Sequence, residues 1–309
     1  MSASVKSKAL AAAIASCAFG LSAGGANAAA EYSMYALGST VNVTGDSSAG
    51  AVIYQNPNNR SNVGSGVIDP FLTVQANGSE SGFSTDVTPN GDLPLDTKRG
   101  GGAFTRTFAL GDMLPVDGYF KFFLDINEPN AANDNKPYLS LDSLSIYLTD
   151  YTGSVPLGKN DITALSQLPL ANWITLYTLD TANVDNSILL DYNNFAGSGL
   201  GFDMEMLIPV SVISALLPVG VDTNRRIVFT SQFGALTTDA NGNDVTSGDG
   251  FEEWSALKTS GSTQECPAFP PPNRPWPICF EQQGIPEPGS LALLGLGLAG
   301  LAALRRRVA

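Results

Sequence analysis

Two acidic, amide-rich stretches carry the side chains best suited to hold a metal ion. The first is Asp125, Asn127 and Glu128, with Asn133, Asp134, Asn135 and Asp142 further along. Calcium takes about six to eight oxygen ligands, and Asp, Asn and Glu close together on a loop supply that chemistry. The second is Asp239-Ala240-Asn241-Gly242-Asn243-Asp244, followed by Asp249, Glu252 and Glu253. Its oxygens fall at the first, third and fifth positions of a calcium loop. It departs from the EF-hand pattern, because Asp244 stands where glycine is needed and Gly250 where the closing glutamate is needed. Each stretch also has a plainer account, which is the favoured one. Asp and Asn side chains build local turns, and Asn241-Gly242 is a hairpin-turn dipeptide. A calcium site at Asp125, Asn127, Glu128, Asp239, Asn241 and Asn243 is thus an expectation to be tested.

Carboxylate pairs such as Asp125 with Glu128, or Asp203 with Glu205, are the minimum that glycoside cleavage requires. Spacing along the chain does not fix their separation, and alternating acids on a strand usually mark its solvent face. The chain has no histidine, which excludes a Ser-His-Asp or Cys-His mechanism within it and any His-ligated zinc or copper site. Trp173 and Trp254, with Tyr147, Tyr151 and Tyr177, are the aromatics that could stack on sugars. Core burial is the expected fate of Trp173. Asn42-Val43-Thr44 and Asn77-Gly78-Ser79 match a glycosylation sequon, a short and weak pattern.

The elements that position these residues read as strands. Tyr119–Ile126 is a dense apolar run. Tyr138–Asp150 alternates in two phases, with Leu139 and Leu141 out of register with Leu144, Ile146 and Leu148. That shift predicts a β-bulge or a break at Asp142-Ser143. Phe202, Met204, Met206 and Ile208 alternate with Asp203 and Glu205, as on a half-buried strand. Val67–Gln75 (an edge or kinked strand because of Pro70), Ala103–Leu110, Trp173–Leu179, Ser187–Tyr192 and Arg226–Phe233 continue the pattern. Val41–Val43 and Ala51–Tyr54 are shorter strands. Helix is expected only at Ile208–Leu217 and, more weakly, at Asn160–Leu168. The sum is all-β: a single β-sandwich or jelly-roll-like domain over residues 29–258.

The two ends of the sequence read as addresses. Lys6 and Lys8, the apolar run Ala9–Leu21 and the small-x-small site Ala26-Asn27-Ala28 form a secretory signal peptide over residues 1–28. Residues 259–285 are a Pro-rich linker holding Cys266 and Cys279, which an oxidising compartment should join as a disulfide. Cys17 leaves with the signal peptide. At the far end, Pro286-Glu287-Pro288 precedes a run without charge from Ser290 to Leu304, and then Arg305-Arg306-Arg307. Helical residues rise about 1.5 Å each, so a span over 290–304 covers roughly 22 Å, which snorkelling arginines extend. The arginines hold the tail on the cytoplasmic side. With both signals removed, the body keeps 11 basic residues against 28 or 29 acidic ones, a net charge near −17 or −18. Such a body repels nucleic acid.

That tail resembles the PEP-CTERM sorting signal of Gram-negative bacteria, through Pro286-Glu287-Pro288, the run Leu291–Leu304 and Arg305–Arg307. The resemblance covers about the last 24 residues. It implies processing by an exosortase, transient residence in the inner membrane, and release or attachment at the cell surface or in the exopolysaccharide matrix of a biofilm. The stretches IDPFLTVQANGSESGFSTD (68–86), LDTK (95–98) and FLDINEP…LSLDSLSIY (123–147) also look like uncharacterised bodies carried by PEP-CTERM proteins, which brings no activity with it. The leading expectation is a non-enzymatic exported protein. The alternatives are a calcium-assisted carbohydrate-binding module and a carboxylate-based polysaccharide hydrolase or lyase.

Overall fold

Apolar runs and alternations give this chain its strands, several of which are buried on both faces. A computed structural model describes residues 28–46, 51–56, 69–88, 92–127, 138–192 and 202–257. The expected signal peptide up to Asn27, the loop bearing Glu128, Asn133, Asp134 and Asn135, the Cys266–Cys279 linker and the sorting tail lie outside the described residues. The strands are β1 (Ala28–Ser33), β2 (Thr40–Val43), β3 (Val52–Gln55), β4 (Pro70–Val74), β5 (Asn77–Gly78), β6 (Glu80–Phe83), β7 (Phe108–Ala109), β8 (Pro115–Val116), β9 (Tyr119–Ile126), β10 (Tyr138–Leu148), β11 (Ile174–Thr178), β12 (Val184–Asp191), β13 (Met204–Pro209), β14 (Arg226–Phe233), β15 (Ser247–Gly248) and β16 (Glu252–Ala256). One short helix, α1 (Val210–Leu216), follows β13. No helix among the described residues is long and apolar enough to cross a membrane.

Two seven-stranded sheets result. The first runs β1-β12-β10-β14-β6, with β11 beside β10 and β7 beside β14. The second runs β2-β3-β13-β9-β16-β4, with β8 beside β9. After β9 the chain changes sheet repeatedly: β10, β11 and β12 lie in the first, β13 in the second, β14 in the first and β16 in the second. The inward faces form one core. Leu139, Leu141, Leu144, Ile146, Ile227 and Phe229 of the first sheet share it with Phe122, Leu124, Met204, Met206 and Trp254 of the second. The Tyr54 and Tyr177 hydroxyls meet across the layers at 2.8 Å, which satisfies two buried polar groups where no water reaches. A smaller cluster around Phe83, Tyr147, Trp173 and Val228 packs on the other face of the first sheet.

The expected shift in β10 is present. Its register against β14 slips between Leu141 and Ser143. Asp142 anchors the bulge, accepting hydrogen bonds from the Ser140 hydroxyl at 2.8 Å, the Ser187 hydroxyl at 3.1 Å and the Ala235 N–H at 2.6 Å. β4 begins at Pro70 and is an edge strand, as the missing proline N–H requires. Four expectations need correction. Only Phe108 and Ala109 of 103–110 are strand; the preceding turn is bound by side-chain contacts instead, such as Thr107 to Asp86. Ile208 and Pro209 finish β13 rather than start the helix, because their backbones continue the ladder opposite Phe120 and Tyr119. The stretch 160–168 holds only a single 3-10 turn, Leu165–Gln167. Phe202 leaves the inward row and stacks on Phe123, with ring centroids 4.2 Å apart.

Candidate functional site

The outward face of the second sheet gathers the carboxylates that the sequence left apart. On β9, Phe122, Leu124 and Ile126 point into the core, so Phe123 and Asp125 point outward. On β16, Trp254 points inward and Glu253 lies directly opposite Asp125. Asp203, just before β13, donates its N–H to the Leu124 carbonyl at 2.8 Å and accepts the Ile126 N–H at 2.6 Å through its carboxylate. Asp125, Asp203 and Glu253 are each at least 95 % buried, at 3 %, 4 % and 1 % exposure. The charges are covered rather than displayed. Arg99 meets Glu253 at 3.7 Å, with its guanidinium lying 4.2 Å above the Phe251 ring and 4.8 Å from the Phe104 ring. Stacking on two rings fixes that cation where the carboxylate needs it.

Burial pushes the Asp125 carboxyl up to about 8; the neighbouring Asp203 charge adds to the rise, the Asn127 amide partly opposes it, and Glu253 raises it further. A lone carboxylate out of water takes a proton rather than hold its charge. Asp125 therefore keeps its proton at neutral pH. Asn127 serves as its tie, with its amide donating to Asp125 at 3.3 Å and to the Phe251 carbonyl at 3.2 Å. Of the first expected calcium set, Asp125 and Asn127 are thus brought together by a donated N–H; Glu128 lies outside the described residues. Glu205, two residues on from Asp203, turns to Lys121 at 3.4 Å and to the Gln55 amide.

The second expected set forms a hairpin. Gly242 donates its N–H to the Asp239 carbonyl at 2.9 Å, and Asp239 donates its own to the Asn243 carbonyl at 3.0 Å. Gly242 has φ +83°, a left-handed value that glycine adopts without cost. The Asp239 side chain accepts four donors: the Asn241 N–H at 2.9 Å, the Asn243 N–H at 2.8 Å, the Asn243 amide at 2.8 Å and the Tyr35 hydroxyl at 2.7 Å. Desolvation, the largest single effect, raises its pKa, but these hydrogen bonds together outweigh it and hold the group at about 2. Its lone pairs are turned to N–H and O–H donors, and Asn243 offers it a nitrogen. This is turn chemistry rather than cation chemistry. No group of three or more His, Cys, Asp or Glu among the described residues is arranged to hold a metal ion.

The aromatics singled out for sugar stacking are built into the body. Trp254 and Tyr177 are fully buried. Trp173 donates its indole N–H to Asp150 at 3.0 Å and packs near Tyr147 and Tyr151. Sequence reasoning missed the pairing of Asp125 with Glu253. The adjacent acids Glu252 and Glu253 stood only as a sequel to the Asp239–Asp244 stretch, yet they belong to an internal strand. The one available signal was Trp254 with Ala256, two apolar positions at period two.

No curated protein and no solved structure matches the chain. Residues 284–307 match the PEP-CTERM protein-sorting motif. The match spans the Pro-Glu-Pro triplet, the uncharged run and the three arginines. It implies an exported bacterial protein, processed by an exosortase and sorted to the cell surface. The chain is an all-β protein that carries the PEP-CTERM protein-sorting motif.

Proposed function

We propose that the chain is a non-enzymatic protein of the bacterial cell surface or extracellular matrix, associated with exopolysaccharide, whose β-sandwich body is delivered by its sorting tail. The observation that carries this reading is the sorting motif over residues 284–307. On this reading the tail rests transiently in the inner membrane of a Gram-negative cell before an exosortase acts near Pro286–Pro288. Two features of the body support a role without turnover. Asp125, Asp203 and Glu253 are set close together but buried, whereas glycoside cleavage needs two carboxylates flanking an accessible bond. The Asp239 carboxylate is occupied by four donors from its own protein.

The test is the intact mass and cell fraction of the native protein, with and without Glu287→Ala or deletion of Arg305–Arg307, followed by incubation with the cell's exopolysaccharide. A form ending near Pro286–Pro288, found outside the inner membrane and leaving the polymer's length unchanged, is the expected result. An intact tail unaffected by either change would overturn the sorting reading. Shortening of the polymer, abolished by Asp125→Asn, would overturn the non-enzymatic one.

A further inference from the structure

The strand from which the tail departs is internal to its sheet. β16 pairs with β9 from Glu252↔Ile126 to Ala256↔Phe122, and on its other side with β4 from Glu252↔Val74 to Ser255↔Pro70. Both pairings are antiparallel. Glu252, Glu253, Trp254 and Ser255 are all buried. The Trp254 ring reaches the opposite layer, with its centroid 4.7 Å from that of Phe229 on β14. The outer edge of β4 is itself held, since Lys98 donates to the Thr73 carbonyl at 2.8 Å and Arg106 to the Phe71 carbonyl at 2.9 Å. At the other end of the chain the arrangement differs. β1 is an edge strand paired only with β12 among the described residues, and in parallel.

We propose that β16 is the mechanical anchor of the body, the element through which tension on the chain beyond Ala256 enters the fold. An edge strand can be peeled from its single neighbour one rung at a time. A strand paired on both sides cannot be peeled sideways from either neighbour. Pulled along its axis, it loads its rungs on β9 and β4 together. Lifted out of the sheet, it must draw the fully buried Trp254 from the core into water. The body therefore yields to a pull on its tail only by unfolding as a unit. The proposal rests on the sorting reading in one respect, that tension arrives from the C-terminal side; the resistance of β16 is a property of the fold.

Single-molecule force extension on the full chain tests this, with one handle at Gly153, an exposed turn position open to a side chain, and the other at either end of the chain. Unfolding between Gly153 and Ala256 frees 103 residues, about 36 nm at roughly 3.5 Å each. The C-terminal pull should show that release as one step. The N-terminal pull should begin at lower force with a short step of about 2 nm, as the six residues of β1 come away. Trp254→Phe, which keeps a ring in the core, should lower the C-terminal force and leave the first N-terminal step unchanged. A C-terminal pull that opens with a short step of about 2 nm, at a force no higher than the N-terminal pull, would overturn the proposal. So would a C-terminal force indifferent to Trp254→Phe. Cell fractionation reads the sorting step separately, so the two failures are distinguishable.

Discussion

Replacing Asp125 by asparagine should stabilise the protein, and by more as the pH rises. Asp125 is 3 % exposed and its pKa stands at about 8, against 3.8 for the free side chain. In the folded state it is protonated up to that value, while in the unfolded chain it ionises from about pH 4. Unfolding therefore releases a proton between these limits, and stability falls by about 1.4 kcal/mol per pH unit. Its contribution is fully present below about pH 4 and is lost as the pH climbs towards 8. At pH 7 the accumulated loss is about 4 kcal/mol. Asparagine has nothing to ionise. Its carbonyl oxygen can still accept the Asn127 amide, and its own N–H groups face the Asp203 and Glu253 carboxylates. The variant should match the parent at pH 4 and exceed it by about 4 kcal/mol at pH 7, read as a urea midpoint raised by roughly 1.5–2 M. A variant less stable than the parent at both pH values, or one whose advantage does not grow with pH, would refute the reasoning.

Asp239 titrates in the opposite sense: held at about 2, its carboxylate adds stability above its unfolded pKa and loses it as acid takes the pH from about 4 down to 2. Asp239→Ala should flatten that acid limb in a pH-dependent melt and cost about 2–4 kcal/mol at pH 7, since the Tyr35 hydroxyl and three N–H groups lose their acceptor; calcium at millimolar concentration should not raise the parent's melting temperature through this hairpin. Asp142→Ala should cost a similar amount, about 2–4 kcal/mol, by stranding the Ala235 N–H and two hydroxyls at the bulge. Hydrogen exchange at Ser143–Ile146 would show it first, as faster exchange confined to that bulge.

Local pattern was enough for much of the fold. Apolar runs place Tyr119–Ile126 and Arg226–Phe233 as strands, and the phase slip between Leu141 and Leu144 locates the bulge that Asp142 holds. The tail was legible for the same reason, because its three parts lie in sequence order and need no partner to be read. β16 and β1 were not legible. Glu-Glu-Trp-Ser-Ala becomes a strand because β9 and β4 supply both ladders, and half of β1 is alanine, strand only through its pairing with β12.

The acidic residues divide along the same line. Asp239, Asn241, Gly242 and Asn243 lie within five positions, so their turn is settled by their own backbone and was foreseeable from the Asn-Gly dipeptide. Asp125, Asp203 and Glu253 are separated by about 50 to 130 positions, and nothing along the chain says that they meet. Composition alone determined that no histidine chemistry operates here and that the body is strongly acidic. Only the tertiary structure decided which acids are buried. The pairing of β9 with β16 puts Asp125 against Glu253, which Arg99 meets in turn, and a carboxyl's pKa answers to its surroundings in space rather than to its neighbours in sequence.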